Sequence, residues 1–186
     1  MKAVVITGAS TGIGKTTALR LSQAGFTVFA CVRKEADASA LQQEMDVKPL
    51  LLDVTNESHI QAVVEEVEEV VGEAGLWGLV NNAGIVVAGP LEFLPVAELR
   101  KQFEVNVFAQ IAVTQAFMPL LRKATGRIVM MSSIAGRFAS PFLGPYAASK
   151  FALEGFSDAL RRELKEWKMF VSLVEPGRVV TPIWEK

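Results

Sequence analysis

Six short apolar runs punctuate the chain, at residues 3–7, 27–32, 48–52, 76–80, 127–131 and 170–174. Within each, apolar side chains follow one another without the polar alternation of a half-exposed strand, the pattern of strands covered on both faces. Longer amphipathic segments separate them, at 13–24, 36–45, 58–72, 96–121 and 146–167. Each is long enough to make a right-handed crossover between parallel strands. The pattern therefore predicts an α/β doubly wound, mostly parallel sheet with helices on both faces. Pro119, near the end of the fourth helical segment, is expected to kink or terminate it. No internal repeat, low-complexity tract or linker divides the chain, so residues 1–186 are expected to form a single domain.

Between the first run and the first helix lies Thr7-Gly8-Ala9-Ser10-Thr11-Gly12-Ile13-Gly14. Glycines there let the backbone turn tightly and let a pyrophosphate reach N–H groups at the positive end of a helix. The spacing is Gly-x-x-x-Gly-x-Gly, not the Gly-x-Gly-x-x-Gly of the longer dinucleotide fingerprint. A ligand-free turn uses the same residues, and the place between strand and helix is what favours a ligand.

A second constellation lies in residues 133–150. Pro145 suits a helix entrance, because its fixed φ is helical and its missing N–H is no loss there. Tyr146 and Lys150 then stand one turn apart, with Cβ atoms about 5–6 Å from each other. At that range a phenolate and an ammonium attract by about 3 kcal/mol at an effective dielectric near 20. The expected result is a tyrosine pKa drawn from near 10 to about 8, where a general acid-base group works well. Ser133 adds a hydroxyl just after an apolar run. Alone, Tyr-x-x-x-Lys is also an ordinary exposed helical pair.

With these motifs together the chain resembles the short-chain dehydrogenase/reductase family. Thr7 to Gly14 matches the family's cofactor loop, and Asn81-Asn82-Ala83-Gly84 its motif after the fourth strand. Ser133, Tyr146 and Lys150 match its catalytic set, and Asn106 its fourth catalytic position. Pro176-Gly177-Arg178-Val179-Val180-Thr181 matches its nicotinamide-side segment. The motifs run in the family's order over nearly the whole chain. Residues 76–80 and 156–164 are similar to the branch that includes retinol and hydroxysteroid dehydrogenases.

The resemblance implies hydride transfer between a nicotinamide dinucleotide and a secondary alcohol or ketone. Tyr146 would donate or accept the proton at the substrate oxygen, and Ser133 would hydrogen-bond that oxygen. Lys150 would hold the nicotinamide ribose and depress the tyrosine pKa, and Asn106 would anchor a water that relays protons to Lys150. The cofactor would be held by Gly8, Ser10, Thr11, Gly12, Ile13, Gly14, Arg33, Asp53, Val54, Asn81, Ala83, Gly84, Tyr146, Lys150, Pro176, Gly177, Val179 and Thr181. Alternatives stay open at several positions. Asn106 could satisfy local backbone groups in mid-helix, Asn81 and Asn82 could serve turn chemistry, and Asp53 could cap the next helix. Ser132 is the weaker serine, since the family's serine precedes x-x-Gly as Ser133 does.

Cofactor choice turns on the end of the second strand, where no acid stands. An Asp or Glu there would bind the ribose hydroxyls and repel a 2′-phosphate, whereas Arg33 can clamp one. Val32 stands where NAD-preferring members carry the acid, so NADP is expected to be preferred over NAD. Lys15 and Lys34 are further charges nearby.

Composition removes other classes. The 19 basic and 20 acidic side chains give a formal charge of −1 without a basic stripe, so no nucleic-acid partner is expected. Cys31 is the only cysteine and His59 the only histidine, which leaves no thiolate cluster, no His-rich metal site and no ready Ser-His hydrolase; no metal is expected. His59 is expected on a solvent-facing helix surface, and Asn56-Glu57-Ser58 reads as a helix start. No apolar run reaches the length of a membrane span. The chain enters its first strand almost at once, without a secretory h-region, and a cytoplasmic location is expected.

Ile85, Val86, Val87, Phe138, Phe142 and Leu143 flank the proposed oxyanion site, so a lipophilic substrate is expected. Surplus apolar positions on the last two helices, Phe151, Leu153, Phe156, Ala159, Leu160 and Leu164 on one and Phe103, Val107, Phe108, Ile111 and Phe117 on the other, suit pairing into a homodimer or homotetramer, as the resemblance also implies. Family members continue past the Pro-Gly segment into a substrate lid, a seventh strand and a C-terminal helix. The expectation is a C-terminally truncated domain lacking that strand and lid, with the sixth strand at a sheet edge. The alternative to an active oxidoreductase is a nucleotide-binding module, or an inactive fragment, without turnover.

Overall fold

The computed structural model describes residues 2–184, and in it the six apolar runs pair as parallel strands. They are β1 (Ala3–Ile6), β2 (Thr27–Val32), β3 (Lys48–Leu51), β4 (Gly78–Asn81), β5 (Arg127–Met131) and β6 (Phe170–Val174). Their spatial order is β3-β2-β1-β4-β5-β6. Chain order therefore reverses between β1 and β4, the switch point at which doubly wound sheets open a crevice. Pro49 lies in β3, an edge strand, where a missing N–H costs least. Among the described residues β6 forms the other edge.

The crossovers are α1 (Gly12–Gln23), α2 (Glu35–Glu44), α3 (Glu57–Val71), the pair α4 (Val96–Phe103) and α5 (Ala109–Lys123), and α6 (Gly144–Glu163). Successive strand residues face opposite ways, which explains why these strands are apolar throughout. Ala3, Val5 and Phe29 pack towards α3, α5 and α6, whereas Val4, Ile6 and Val28 pack on the α1 and α2 side. α3 shows how one stripe suffices: Ile60, Val63, Val67 and Val71 are buried at three- and four-residue spacing. Asn56 caps it, its side chain accepting from the Ser58 and His59 N–H groups, and His59 is exposed.

Two departures concern the longer helices. The single helix expected over 96–121 is α4 and α5 joined by a π turn, Glu104–Phe108. Pro119 does not end it, since α5 runs on to Lys123. Phe117, Leu120 and Leu121 around it are all buried, and that packing outweighs the lost hydrogen bond. The helix expected to reach residue 167 gives way after Glu163 to a 3-10 turn, Leu164–Trp167, closed by left-handed Lys168.

Candidate active site

A cleft of about 810 Å³ opens at the carboxyl ends of the strands. Every residue expected to act in catalysis or to hold the cofactor lines it, except Asn81 and Asn106. Its floor is the loop from Gly8 to Gly14 laid against the segment after β4. Gly8 has φ +64 and sits so close to Ala83 that a Cβ would lie 2.8 Å from the Ala83 Cα. At Gly14 a Cβ would come within 2.4 Å of Gly8 O and Asn82 Nδ2. The Asn82 side chain donates to the carbonyls of Thr7 and Gly8, both at 2.9 Å, and Thr7 Oγ1 accepts from the N–H groups of Asn82 and Ala83. Thr7 and Asn82 thus lock the two loops together. Their hydrogen-bonding residue types beside the glycines are the signal that sequence reasoning passed over.

Asn81 is turned away from this cleft. It is buried, and its Nδ2 donates to Thr114 Oγ1 at 2.7 Å. Its side chain therefore does not line the cleft: β4 still runs through Asn81, and strand alternation points it at α5. Asp53 reaches the cleft, but its carboxylate also accepts from the Thr55 N–H and hydroxyl, and those bonds hold its pKa below the usual carboxylate value. Arg33 and Lys34 are exposed at the same end. Lys15 is instead paired with Glu44 at 2.6 Å.

The acid-base centre lies at the other end. Tyr146 opens α6 behind Pro145, and Lys150 follows one turn later, both buried. Ser133 ends the segment after β5 and caps the turn Ile134–Gly136, its Oγ accepting from the Ala135 N–H at 3.1 Å. It also hydrogen-bonds Tyr146. Lys150 Nζ donates to the Met131 carbonyl at 2.7 Å and stands 5.7 Å from the Tyr146 ring centre. Ser132 borders the cleft too, yet its hydroxyl oxygen is buried without a hydrogen-bond partner among the described residues.

Electrostatics here depart from the sequence expectation. Burial raises the Tyr146 pKa above its ordinary value, with the Ser133 hydrogen bond pulling only partly the other way. Burial also lowers Lys150 to about 8, against the opposing pull of the Glu154 carboxylate. Desolvation, which disfavours both charged forms, thus moves the tyrosine in the direction opposite to that expected from the i,i+4 pair. Behind the lysine, Glu154 lies 3.1 Å from Arg137 Nη2, and Arg137 clamps Glu175 with two hydrogen bonds of 2.9 and 3.1 Å. This ties the loop after Ser133 to the end of β6.

Asn106 is placed by the π turn. Its Oδ1 accepts from the Ile85 N–H at 2.9 Å, and its Nδ2 donates to the Ile85 carbonyl at 3.0 Å and Ser149 Oγ at 3.2 Å. Its side chain thus holds the cleft wall through both amide atoms. Phe138 and Phe142 are exposed at 66% and 62% and stand outside the cleft lining, whereas Ile85, Val86 and Val87 form part of it.

A doubly wound sheet with a glycine loop at its switch point and Ser, Tyr and Lys converging beside it defines an α/β domain with a cleft at the sheet's carboxyl edge. The family model of short chain dehydrogenases matches residues 2–186, and the chain belongs to that family. It is 44% identical to 17-beta-hydroxysteroid dehydrogenase type 6 of Bos taurus, over 100% of this chain and 60% of that protein. It is 42% identical to an NADPH-dependent 3-dehydrocapnine reductase of Ornithobacterium rhinotracheale, over 100% of this chain and 68% of that one. Among solved structures, a short-chain dehydrogenase from Streptomyces avermitilis superposes with a TM-score of 0.89 at 32% identity, over 96% of this chain and 66% of its own. The chain thus spans between 54% and 68% of the length of the curated relatives it matches. No helix among the described residues is long and apolar enough to cross a membrane.

Proposed function

We propose that this chain reduces a lipophilic ketone to a secondary alcohol, or runs the reverse, with NADP(H) preferred and NAD(H) the weaker cofactor. The observation that carries it is the convergence of Ser133, Tyr146 and Lys150 on one end of a cleft whose other end is the glycine loop. The residues fit a dinucleotide. Thr11 stands at the N-cap of α1 without a side-chain cap bond, and no acid lies in the first turn, so the helix N-terminus keeps donors for a pyrophosphate. Arg33, exposed and outside any ion pair among the described residues, suits a 2′-phosphate. When bound, the nicotinamide supplies or accepts the hydride.

The chain's own residues handle the proton and the geometry. Burial keeps Tyr146 protonated at neutral pH, which suits a donor to the carbonyl oxygen. Ser133 orients that hydroxyl and the same oxygen, and Lys150 provides a charge held beside the ring at 5.7 Å. Ile85, Val86 and Val87 offer an apolar wall to the substrate.

Steady-state oxidation of NADPH with a panel of ketones tests the whole. Turnover with hydrophobic ketones above small charged keto acids is expected; cofactor binding without any turnover would leave a nucleotide-binding module. A cytoplasmic homodimer or homotetramer completes the proposal. Phe108 on the π turn and Phe151 and Phe156 on α6 are exposed at 55%, 47% and 46% and supply an apolar face. Light scattering over a dilution series should show a discrete multiple of the 20.2 kDa chain.

A further inference from the structure

Four polar residues spaced by four, Gln102, Asn106, Gln110 and Thr114, run along the helical rod from α4 to α5, and all are buried, at 0%, 1%, 2% and 1% exposure. A buried polar stripe on an otherwise apolar helix needs partners. Opposite it, β4 ends at Asn81 and the chain continues as residues 82–87 without a strand neighbour.

The hydrogen bonds pair the two segments in register. Thr114 Oγ1 accepts from Asn81 Nδ2 at 2.7 Å, and Gln110 Nε2 donates to the Ala83 carbonyl at 2.6 Å. Asn106 takes both backbone groups of Ile85. Gln102 Oε1 accepts from the Val87 N–H at 2.6 Å, and its Nε2 donates to the Ile85 carbonyl at 2.8 Å. Every second residue from 81 to 87 is held by every fourth residue of the helix.

The match follows from elementary geometry. Four helical residues rise about 6 Å, and two extended residues advance about 6.6 Å. A regular α-helix turns about 100° per residue, so the span from Gln102 to Thr114 would drift roughly 120° past whole turns and carry Thr114 off the face. The π turn Glu104–Phe108 takes an extra residue into one turn and reduces that drift to about 20°. The same turn that places Asn106 keeps all four residues aligned.

We infer that this stripe is a template for the cleft wall, and that Gln102 is a positioning residue setting Ile85–Val87 against Tyr146 on the substrate side. Val86 packs on the cluster that contains Tyr146, so the outer end of the ladder governs that gap. The catalytic meaning rests on the proposed ketone reduction; the ladder itself does not.

The test is amide hydrogen exchange by NMR on the full chain with NADPH bound, together with steady-state kinetics. Gln102→Met should speed exchange at Val87 by about tenfold or more. It should leave NADPH affinity within about threefold while kcat/KM for the ketone falls about tenfold. Gln102→Asn, polar but one methylene short, should expose Val87 in the same way if the Met variant does not fold. Gln102→Glu keeps an acceptor opposite Val87 and should return its protection. Unchanged Val87 exchange in both shortened and apolar variants overturns the ladder. Loss of NADPH affinity in step with ketone turnover overturns the positioning role. A parent that binds NADPH but reduces no ketone overturns the functional proposal alone, because the exchange data still decide the ladder.

Discussion

The two ends of the cleft handle charge in opposite ways. At the end of β2, Arg33 and Lys34 stand exposed at the cleft, open to an anionic ligand approaching through water. At the start of α6, Lys150 is 6% exposed and Tyr146 7%, and burial moves both away from their charged forms. One end offers exposed charge to a ligand. The other can do proton chemistry because its protonation is set by the protein. Exposed charge answers to salt, and buried charge to pH.

The sharpest break in this comparison is at the buried end. Tyr146→Phe removes the hydroxyl and keeps the ring, so the fold and cofactor affinity should persist while turnover falls by about 10² to 10⁴, the range of a general acid-base contribution. Turnover equal to the parent in the same ketone assay would remove Tyr146 from the chemistry.

Next in size is the floor that joins the two ends. Gly14→Ala brings a Cβ to 2.4 Å from Gly8 O, which is backbone and cannot swing aside. A loss of about 1–3 kcal/mol in urea unfolding is expected, as for other overpacked sites, with NADPH affinity reduced alongside. Gly177→Ala serves as the control, because its Cβ would meet nothing within 4 Å. If both variants unfold alike, the close fit of the glycine loop on Asn82 and Ala83 is not what holds the floor.

At the exposed end, Arg33→Ala should weaken NADPH by about tenfold, the scale of one charge-assisted contact, and NADH hardly at all. Added salt should erode the NADPH preference of the parent and leave that of the variant flat. Equal losses for both cofactors would break the assignment of Arg33 to the 2′-phosphate.

These residues were not equally legible in the chain. The strands and the glycine loop declare themselves through short-range pattern, because a strand-to-helix turn is local geometry, whereas Ser133, Tyr146 and Lys150 came together as a set through the family resemblance. Asn81 and Asn82 could not be told apart, since their difference is which side of a strand each faces, and β4 runs one residue further than the apolar run. The tyrosine shift came out with the opposite sign, because spacing reveals the partner of a charge but not its depth of burial. The π turn left no local mark, although polar residues at 102, 106, 110 and 114 in an apolar helix are a signal that depends on allowing a changed pitch.

The smallest effect sharpens the comparison through pH. Lys150 is held at about 8 against an ordinary 10.5, so the unfolded chain binds that proton more tightly. The folded state therefore bears the full cost below pH 8, and stability rises as the pH climbs from 8 to 10.5. Cys31 has the opposite sense. Burial pushes its thiol up to about 12 from 9.0, so the unfolded chain releases the proton first and stability falls from pH 9 upward. Tyr146, also raised, adds to that loss above its ordinary 10.0. Only between pH 8 and 9 does Lys150 act alone, and one group can contribute there at most about 1.4 kcal/mol per pH unit. Urea midpoints of the cofactor-free chain at pH 7.5, 8.5 and 9 should climb for the parent relative to Lys150→Met, which has no proton to lose. Arg33→Ala should track the parent over the same range, because the substitution leaves the burial of Lys150 untouched. Parallel curves for the parent and Lys150→Met would mean that Lys150 is solvated in the free protein, and that the two ends of the cleft do not differ in the way their burial implies.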